Sequence, residues 1–316
     1  MSLPHALAQN LAQLCESIPK AHLQEARRVL TQRYHQGGTI TMESHAQRLS
    51  YLATRMPATF QVVKDALSRV PDLDQVKSLL DLGSGPGTVL WALESHLCLE
   101  RAELVEQNLE LLNLGRTLGT SGLKTPNIVH HHSALESFQE WHKADLVSLS
   151  YVWAELNKQT CFSLLEKAYD HTNLFLILIE PGTPHHAHNL LDARDFLLKK
   201  GAFIVAPCPH ALACPLASPD WCHFSAHITR DTLHRQVKEV NHPFELEKYS
   251  YLVVSKSPSK TPVEGRFVRP PLKRTGHLVC DLCTKDGTLE RRCVSRRDKD
   301  LYSFTKKKGW GDTWPS

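Results

Sequence analysis

Three glycines spaced two apart carry the first chemical signal in this chain. They stand in Asp81-Leu82-Gly83-Ser84-Gly85-Pro86-Gly87-Thr88. The apolar run Val76 to Leu80 precedes them, and a helical pattern from Val89 to Leu97 follows. A strand that feeds a glycine-rich turn and then a helix start makes a ligand cradle. Gly83, Gly85 and Gly87 permit tight backbone angles and put no side chain between backbone and ligand. The helix start beyond them offers free N–H groups. The spacing D-x-G-x-G-x-G departs from the dinucleotide fingerprint, because the third glycine comes one residue early and Thr88 takes its place. Glu106, at the end of the next expected strand, sits where an acidic residue can hold ribose hydroxyls.

The cysteines carry the second signal. Cys208 and Cys214 each precede a proline, and Cys222 follows in Trp221-Cys222-His223-Phe224. The C-x5-C-x7-C spacing does not fit the paired knuckles of zinc ribbons. Cysteine before proline resembles ligation in iron–sulfur proteins, where a locked backbone without an N–H helps a loop wrap a cluster. Three thiolates need a fourth ligand, and Cys280-Asp281-Leu282-Cys283 supplies two candidates. Alternation along a strand puts Leu278, Cys280 and Leu282 on one apolar face and Cys283 with Val279 and Asp281 on the other. Cys283 therefore reads as the ligand and Cys280 as core, with His210 and His223 as alternatives, especially for zinc. Cys15, Cys98, Cys161 and Cys293 have no partner spacing and are expected to be buried thiols.

The chain has 316 residues and nine cysteines. Such a length holds one large domain with appendages, or two domains. No apolar run reaches transmembrane length, and the longest, Leu174 to Ile179, suits a buried strand. MSLPHALAQN lacks the charged start and long apolar stretch of a secretory signal. Nine cysteines without such a signal predict a reducing cytoplasm, with thiols free or on metal. The formal net charge of +4 conceals an asymmetry. Residues 256–316 carry fifteen Lys/Arg against seven Asp/Glu, a net of +8, so the rest carries −4. A basic segment on an acidic body predicts a polyanionic partner, most simply RNA. No membrane or DNA partner is expected, and the chain is expected to act as a monomer.

These residues need a scaffold. Residues 1–75 read as a helical N-terminal domain, with Leu7, Leu11 and Leu14, then Ala26, Val29 and Leu30, at helical spacing. A segment from Thr41 places Leu49, Leu52 and Ala53 on one face, and Pro57 suits the first turn of the next helix. Residues 76–256 alternate strand and helix, which predicts an α/β fold with a parallel sheet and crossovers. Its strands are Leu79–Leu82, Ala102–Val105, Asn127–His130, Asp145–Ser150, Leu174–Ile179, Phe203–Val205 and Tyr249–Val254, and a cysteine loop spans 206–224. After a linker, Ser255–Pro262, residues 257–316 form a basic extension built on a hairpin, His277–Thr284 and Thr288–Ser295, about an Asp286-Gly287 turn. Lys306 to Lys308 beside Trp310 and Trp314 could track a phosphate backbone while rings stack on bases. Packing onto the body is the more economical role for the tryptophans.

The glycine loop resembles that of the class I methyltransferases, which bind S-adenosylmethionine (SAM). That resemblance makes Asp81, Gly83, Ser84, Gly85, Gly87 and Glu106 the cofactor-binding set, with Glu106 accepting both ribose hydroxyls. His131-His132-Ser133 stands where an acidic or polar residue would read the adenine. Methyl transfer needs an in-line nucleophile and positioning. Amino-methylating members carry [DN]-P-P-[YF] after strand four, where this chain has Ser150-Tyr151-Val152-Trp153-Ala154-Glu155-Leu156. RNA cytosine C5 enzymes carry cysteines after strands four and five, where this chain has Tyr151 and Glu180. Tyr151 and Glu155 are the candidate acceptor-pocket residues, and no acceptor chemistry can be read from them.

A wider set of motifs resembles one family. It comprises Tyr51-Leu52-Ala53-Thr54-Arg55-Met56-Pro57-Ala58-Thr59, the glycine loop, Cys208-Pro209-His210, Trp221-Cys222-His223-Phe224, Arg269-Pro270-Pro271-Leu272-Lys273, Gly276-His277 with Asp281-Leu282-Cys283, and Trp310-Gly311-Asp312. The chain is similar to the methyltransferase-like proteins of the mitochondrial small ribosomal subunit and their bacterial homologues, and its size looks bacterial. The resemblance implies a SAM-binding fold and a four-cysteine [4Fe-4S] or metal site at Cys208, Cys214, Cys222 and Cys283. It also implies attachment to the small subunit and its 16S-type ribosomal RNA during assembly. A methyltransferase label would be inherited from the fold, so activity stays open. An ordinary methyltransferase of a small molecule or protein, with a structural zinc, is the alternative.

Overall fold

The computed structural model describes residues 3–35, 42–153, 156–216 and 218–315. Four helices lead the chain: α1 (His5–Glu16), α2 (Lys20–His35), α3 (His45–Thr54) and α4 (Met56–Leu67). Ser44 starts α3 with a reciprocal cap, its side chain accepting from the Gln47 N–H while the Gln47 side chain accepts from the Ser44 N–H. Pro57 falls in the first turn of α4, where its missing N–H costs nothing. Leu49, Leu52 and Ala53 are buried, as their spacing predicts. The Thr41 start of that segment lies outside the described residues.

A mixed sheet follows: β1 (Ser78–Leu82), β2 (Arg101–Glu106), β3 (Asn127–His132), β4 (Ala144–Ser150), β5 (Thr172–Pro181), β6 (Phe203–Ala206), β7 (Phe224–Thr229) and β8 (Phe244–Ser255). The order is β3-β2-β1-β4-β5-β8-β6, with β7 also on β8. β1 to β5 pair in parallel, while β8 runs antiparallel to β5, β6 and β7. The connecting helices are α5 (Thr88–Glu94), α6 (Leu109–Gly119), α7 (Lys158–Asp170), α8 (Pro184–Lys199) and α9 (Thr232–Lys238). β1 is buried along its whole length, because cores lie on both faces. Leu79 and Leu104 join the core beneath α1, α3, α4 and α5, whereas Leu80, Leu82 and Val105 join the core beneath α7 and α8. Chain order reverses at β1, which opens a crevice beyond its C-terminal end.

The last strand of the sheet is longer than its apolar run. β8 begins at Phe244, and its N-terminal half pairs with β7 rather than β6. The basic extension is more than a hairpin. β11 (His277–Thr284) and β12 (Leu289–Ser295) are joined by β9 (Gly265–Phe267), β10 (Leu272–Arg274) and β13 (Thr313–Trp314) in a five-stranded sheet, with α10 (Lys299–Thr305) packed beside it. Phe267, Leu278, Cys280, Leu282, Val294 and Trp314 form its own small core. Trp314 is 8% exposed and its ring lies 5.6 Å from Phe267, while Trp310 packs against the main core. Both rings therefore serve packing. Arg69 donates to the Trp310 carbonyl at 2.7 Å, tying this sheet to α4.

Among the remaining thiols, Cys15 and Cys161 are buried as expected, but Cys98 and Cys293 are exposed. Cys98 lies beyond the end of α5, and Cys293 pairs across from Val279 on the face of β12 opposite Val294. Among the described residues, no helix is long and apolar enough to cross a membrane.

Candidate functional site

The glycine loop occupies the crevice beyond β1. Gly83, Gly85 and Gly87 all have positive φ, at 75°, 53° and 80°. Gly83 and Gly85 face opposite constraints. A Cβ on Gly83 would meet Val152 Cγ2 at 2.3 Å, so bulk there strikes the fold. A Cβ on Gly85 would meet nothing within 4 Å, so that position faces open space. The loop is held by β2: the N–H groups of Gly83 and Ser84 donate to the Val105 carbonyl at 2.9 Å.

Glu106 completes the cradle. It is 8% exposed, and its carboxylate accepts from the Gly85 N–H at 2.8 Å and the Asn108 N–H at 2.7 Å. Burial pushes its carboxyl up from the usual range, while those N–H groups pull it back. A carboxylate has about four lone-pair sites, and the N–H groups of Gly85, Asn108 and Gln107 do not fill them all, so capacity remains for a ligand hydroxyl. Asp81 is 1% exposed, and apart from the nearby Ser148 hydroxyl neither of its oxygens has a hydrogen-bond partner among the described residues. Burial pushes its carboxyl up to about 7, offset in part by the nearby Ser148 hydroxyl and raised further by the Glu106 charge. The Ser84 hydroxyl is also buried without a partner among the described residues. A buried polar group without a partner costs roughly 1–3 kcal/mol, so Asp81 and Ser84 are groups a ligand would satisfy. Open space at Gly85 and these unpartnered atoms fit a nucleoside with an ammonium or hydroxyl donor.

The third strand contributes less. It runs on to His132, so the histidines lie within it. His131 turns to Glu103, Nε2 to Oε2 3.3 Å, and packs edge-on against Phe138. Ser133 donates its N–H to the Glu106 carbonyl at 3.1 Å.

On the acceptor side, Tyr151 takes a left-handed φ of 62°, a costly conformation for an aromatic residue. Its N–H donates to the Ile179 carbonyl at 2.7 Å, and its buried hydroxyl has no hydrogen-bond partner among the described residues. Burial raises that phenol well above its usual value, with Glu247 adding to the rise and Arg55 opposing it. Arg55 and Glu247 pair at 2.9 Å. Glu180 is fully buried and accepts from the Trp153 N–H at 3.0 Å, shaping the turn after β4. Glu155 lies outside the described residues.

The four selected cysteines converge. Cys208, Cys214, Cys222 and Cys283 line one cavity of about 280 Å³ beside α8, β8 and β9. Three come from the loop between β6 and β7, and the fourth from β11. Burial and the neighbouring sulfurs raise the Cys222 thiol well above its ordinary value, and they push Cys283 up to about 12. Burial raises Cys208 too, but Arg194 and Arg266 oppose it. His210 also lines the cavity, with Nε2 3.3 Å from Cys283 Sγ. His223 instead stacks on Trp221 at 4.9 Å. Cys280 is fully buried in the core of the five-stranded sheet. Among the described residues, no three His, Cys, Asp or Glu side chains are disposed to hold a single metal ion. Four thiols around a cavity of this size, with two buried guanidinium groups, are a donor set suited to a larger thiolate-bound group.

Arg194 and Arg266 are the functional candidates that residue spacing missed. Arg194 occupies a core position of α8 between Leu190 and Leu197, and a charge on that stripe was the available signal. Arg266 sits in a three-residue strand and gave none.

A glycine-loop cradle at the switch point of a sheet ordered β3-β2-β1-β4-β5-β8-β6 defines a class I methyltransferase-like protein. The family is narrower. A family model described as "Mitochondrial small ribosomal subunit Rsm22" matches residues 45–315, and the chain belongs to this family. The human mitochondrial ribosome assembly protein METTL17 is 29% identical over 294 residues, covering 84% of this chain and 62% of that protein. The mitochondrial ribosome assembly protein RSM22 of Saccharomyces cerevisiae is 24% identical over 179 residues, covering 36% of this chain and 28% of that protein. The chain thus spans less than two thirds of the length of these relatives. Among solved structures, a magnesium protoporphyrin IX methyltransferase of Synechocystis with bound SAM is 11% identical, with a TM-score of 0.42, covering 72% of this chain and 91% of that one. A precorrin-6y C5,15-methyltransferase of Geobacter metallireducens is 15% identical, with a TM-score of 0.41, covering 63% of this chain and 87% of that one.

Proposed function

We propose that this protein is a SAM-binding factor that engages small-subunit ribosomal RNA during ribosome assembly and carries a thiolate-bound metal centre, a [4Fe-4S] cluster in preference to zinc. The observation that carries the reading is the convergence of three loop cysteines from the methyltransferase-like body with Cys283 from the basic sheet. A metal centre there would join the cofactor-binding half to the polyanion-binding half, and its binding energy would be partly folding energy. A cluster is favoured because each of the four cavity-lining thiolates then binds its own iron. When bound, the group supplies a cross-link. Such thiols must stay reduced, which supports a reducing compartment such as the cytoplasm.

SAM binding follows from the cradle. Glu106 would hold the ribose hydroxyls, Asp81 and Ser84 would take the amino-acid end, and the open side of Gly85 would admit the nucleoside. Methyl transfer has less support. Tyr151 keeps its proton at physiological pH and lies beside the Arg55–Glu247 pair, so it positions without acting as a base. We therefore read the cofactor as a bound ligand of an assembly factor.

RNA contact is assigned to the basic sheet. Arg291 pairs with Asp281 at 2.7 Å, and Arg292 with Glu290 at 2.6 Å. Lys306 and Lys307 are exposed with no carboxylate partner among the described residues, so they carry uncompensated charge. Co-sedimentation with the small ribosomal subunit tests the reading. Binding that falls as salt rises is expected; a protein that stays in the supernatant at low salt would overturn it.

A further inference from the structure

The cavity that gathers the four thiols also gathers two buried cations. Arg194 is 2% exposed and Arg266 is 6% exposed, and both line the cavity. Their hydrogen bonds go mostly to neutral groups. Arg266 donates to the Gly311 carbonyl at 3.1 Å and the Val205 carbonyl at 3.3 Å. Arg194 donates to the carbonyls of His210 at 3.2 Å and Leu212 at 2.5 Å. Its one carboxylate partner, Asp195 at 2.9 Å, is 63% exposed and lies in water. Arg266 has no carboxylate partner among the described residues. The Nε of each guanidinium is buried without an acceptor among the described residues. Burying a cation costs several kcal/mol, so two beside one cavity, one paired with an exposed Asp195 and the other with no carboxylate among the described residues, require an explanation. Carbonyl bonds orient the groups but do not neutralise them.

The chemistry of the cavity supplies the missing charge. Four thiolates on zinc or on an oxidised [4Fe-4S] core leave a net negative centre. Both guanidinium groups line the same cavity as the four sulfurs. We infer that Arg194 and Arg266 are the counter-ions of the thiolate-bound centre, positioning residues that retain it in the cavity and set its reduction potential. This rests on the metal reading above and extends it to residues outside the ligand set. Potentials of iron–sulfur centres follow net charge and hydrogen bonding at the sulfurs. A fixed cation stabilises the more negative, reduced state, so its removal lowers the potential.

The test uses the full chain, purified without oxygen, with iron, sulfide and zinc measured per chain. Arg266→Met, Arg266→Lys, Arg194→Met and Arg194→Lys are compared with wild type. Loss of metal to a chelator is followed by absorbance, and for an iron-containing centre an electrode titration gives the midpoint potential. Both methionine variants should lose metal several-fold faster and shift the midpoint to lower potential. Both lysine variants should recover most of each effect, although lysine cannot reproduce the paired bonds to the carbonyls. Full metal content with unchanged retention and midpoint in both methionine variants would overturn the counter-ion role and leave the metal reading intact. Lysine variants as impaired as the methionine variants would also overturn it, since geometry rather than charge would then matter. Wild-type protein with neither iron nor zinc after reconstitution would remove the metal reading itself, and the counter-ion role with it. Should Arg266→Met fail to fold, Arg194→Met and Arg194→Lys decide the same question from the helix side.

Discussion

The cofactor cleft and the thiol basin both bury acidic groups, but they are held together differently. In the cleft the backbone does the holding. Gly83 and Ser84 bond to Val105, and Glu106 bonds to Gly85 and Asn108, all within 26 residues of chain. The cleft therefore keeps its shape without a ligand. In the basin, the four thiols come from a span of 76 residues, and neighbouring sulfurs raise the pKa of Cys208, Cys222 and Cys283. Proximity there is unfavourable once the sulfurs ionise, unless a cation binds them. A ligand should fill the cleft and should assemble the basin.

The largest expected effect lies in the basin. Serine at Cys208, Cys214, Cys222 or Cys283 should abolish most metal binding and expose the C-terminal sheet to protease. Serine at Cys280 should keep the metal and cost about 1–3 kcal/mol, through an unsatisfied hydroxyl in the small core. Metal analysis with limited proteolysis reads both. If Cys280→Ser loses the metal while Cys283→Ser keeps it, the fourth ligand is misassigned.

The cleft should respond in a more graded way. Gly85→Val should abolish SAM binding by calorimetry with little change in melting temperature beyond its backbone strain. Gly83→Ala should instead destabilise the fold by about 1–3 kcal/mol, through the Val152 clash and the positive φ. Glu106→Ala should weaken SAM by about 1.5–3 kcal/mol. Equal effects of the two glycine variants on binding and on melting would erase the distinction between a ligand face and a packing face.

Asp81 adds a pH dependence. Its folded carboxyl, at about 7, lies well above the ordinary aspartate value. The folded state therefore binds the proton more tightly. The stabilisation is full below about pH 4 and is lost as pH rises through about 7, amounting to at most about 4 kcal/mol. SAM brings an ammonium that favours the ionised form, so affinity should rise with pH over the same window. Asp81→Asn should flatten both trends in paired melting and calorimetry series. A wild-type protein whose stability is level from pH 4 to pH 7 would show that water reaches this carboxyl.

The smallest effects belong to the basic surface. Neutralising Lys306, Lys307 and Lys308 together should reduce the salt slope of RNA binding by roughly 2–3, since each phosphate contact contributes about 0.7–0.9. Arg291→Gln should change it less, because Asp281 already compensates that charge. A larger loss from Arg291→Gln would move the RNA contact from the lysine run to β12.

Much of this architecture was legible because it is local. The buried β1 and β5 show as apolar runs, and the first turn of α4 shows as Pro57, whereas the Ser44 cap of α3 was not read. β7 was missed because its six residues follow directly on the cysteine loop, and only pairing with β8 makes Phe224–Thr229 a strand. The N-terminal half of β8 was missed because Phe244 and Leu246 stand exposed among charged neighbours. Cys98 and Cys293 were misjudged because hydrophobic character alone does not say which side of an element meets the core.

Residue spacing by itself determined the glycine cradle with Asp81 and Glu106, the alternation of helix and strand, and the faces of β11 that separate Cys280 from Cys283. Each of these depends on periodicities of the backbone that act over a few residues. Only the tertiary structure decided that Cys283 meets the loop cysteines, that Glu106 locks onto Gly85, and that Arg194 and Arg266 stand buried beside the thiols. Those contacts join segments distant in the chain, and the energy that selects them is the desolvation of groups whose partners no local pattern names.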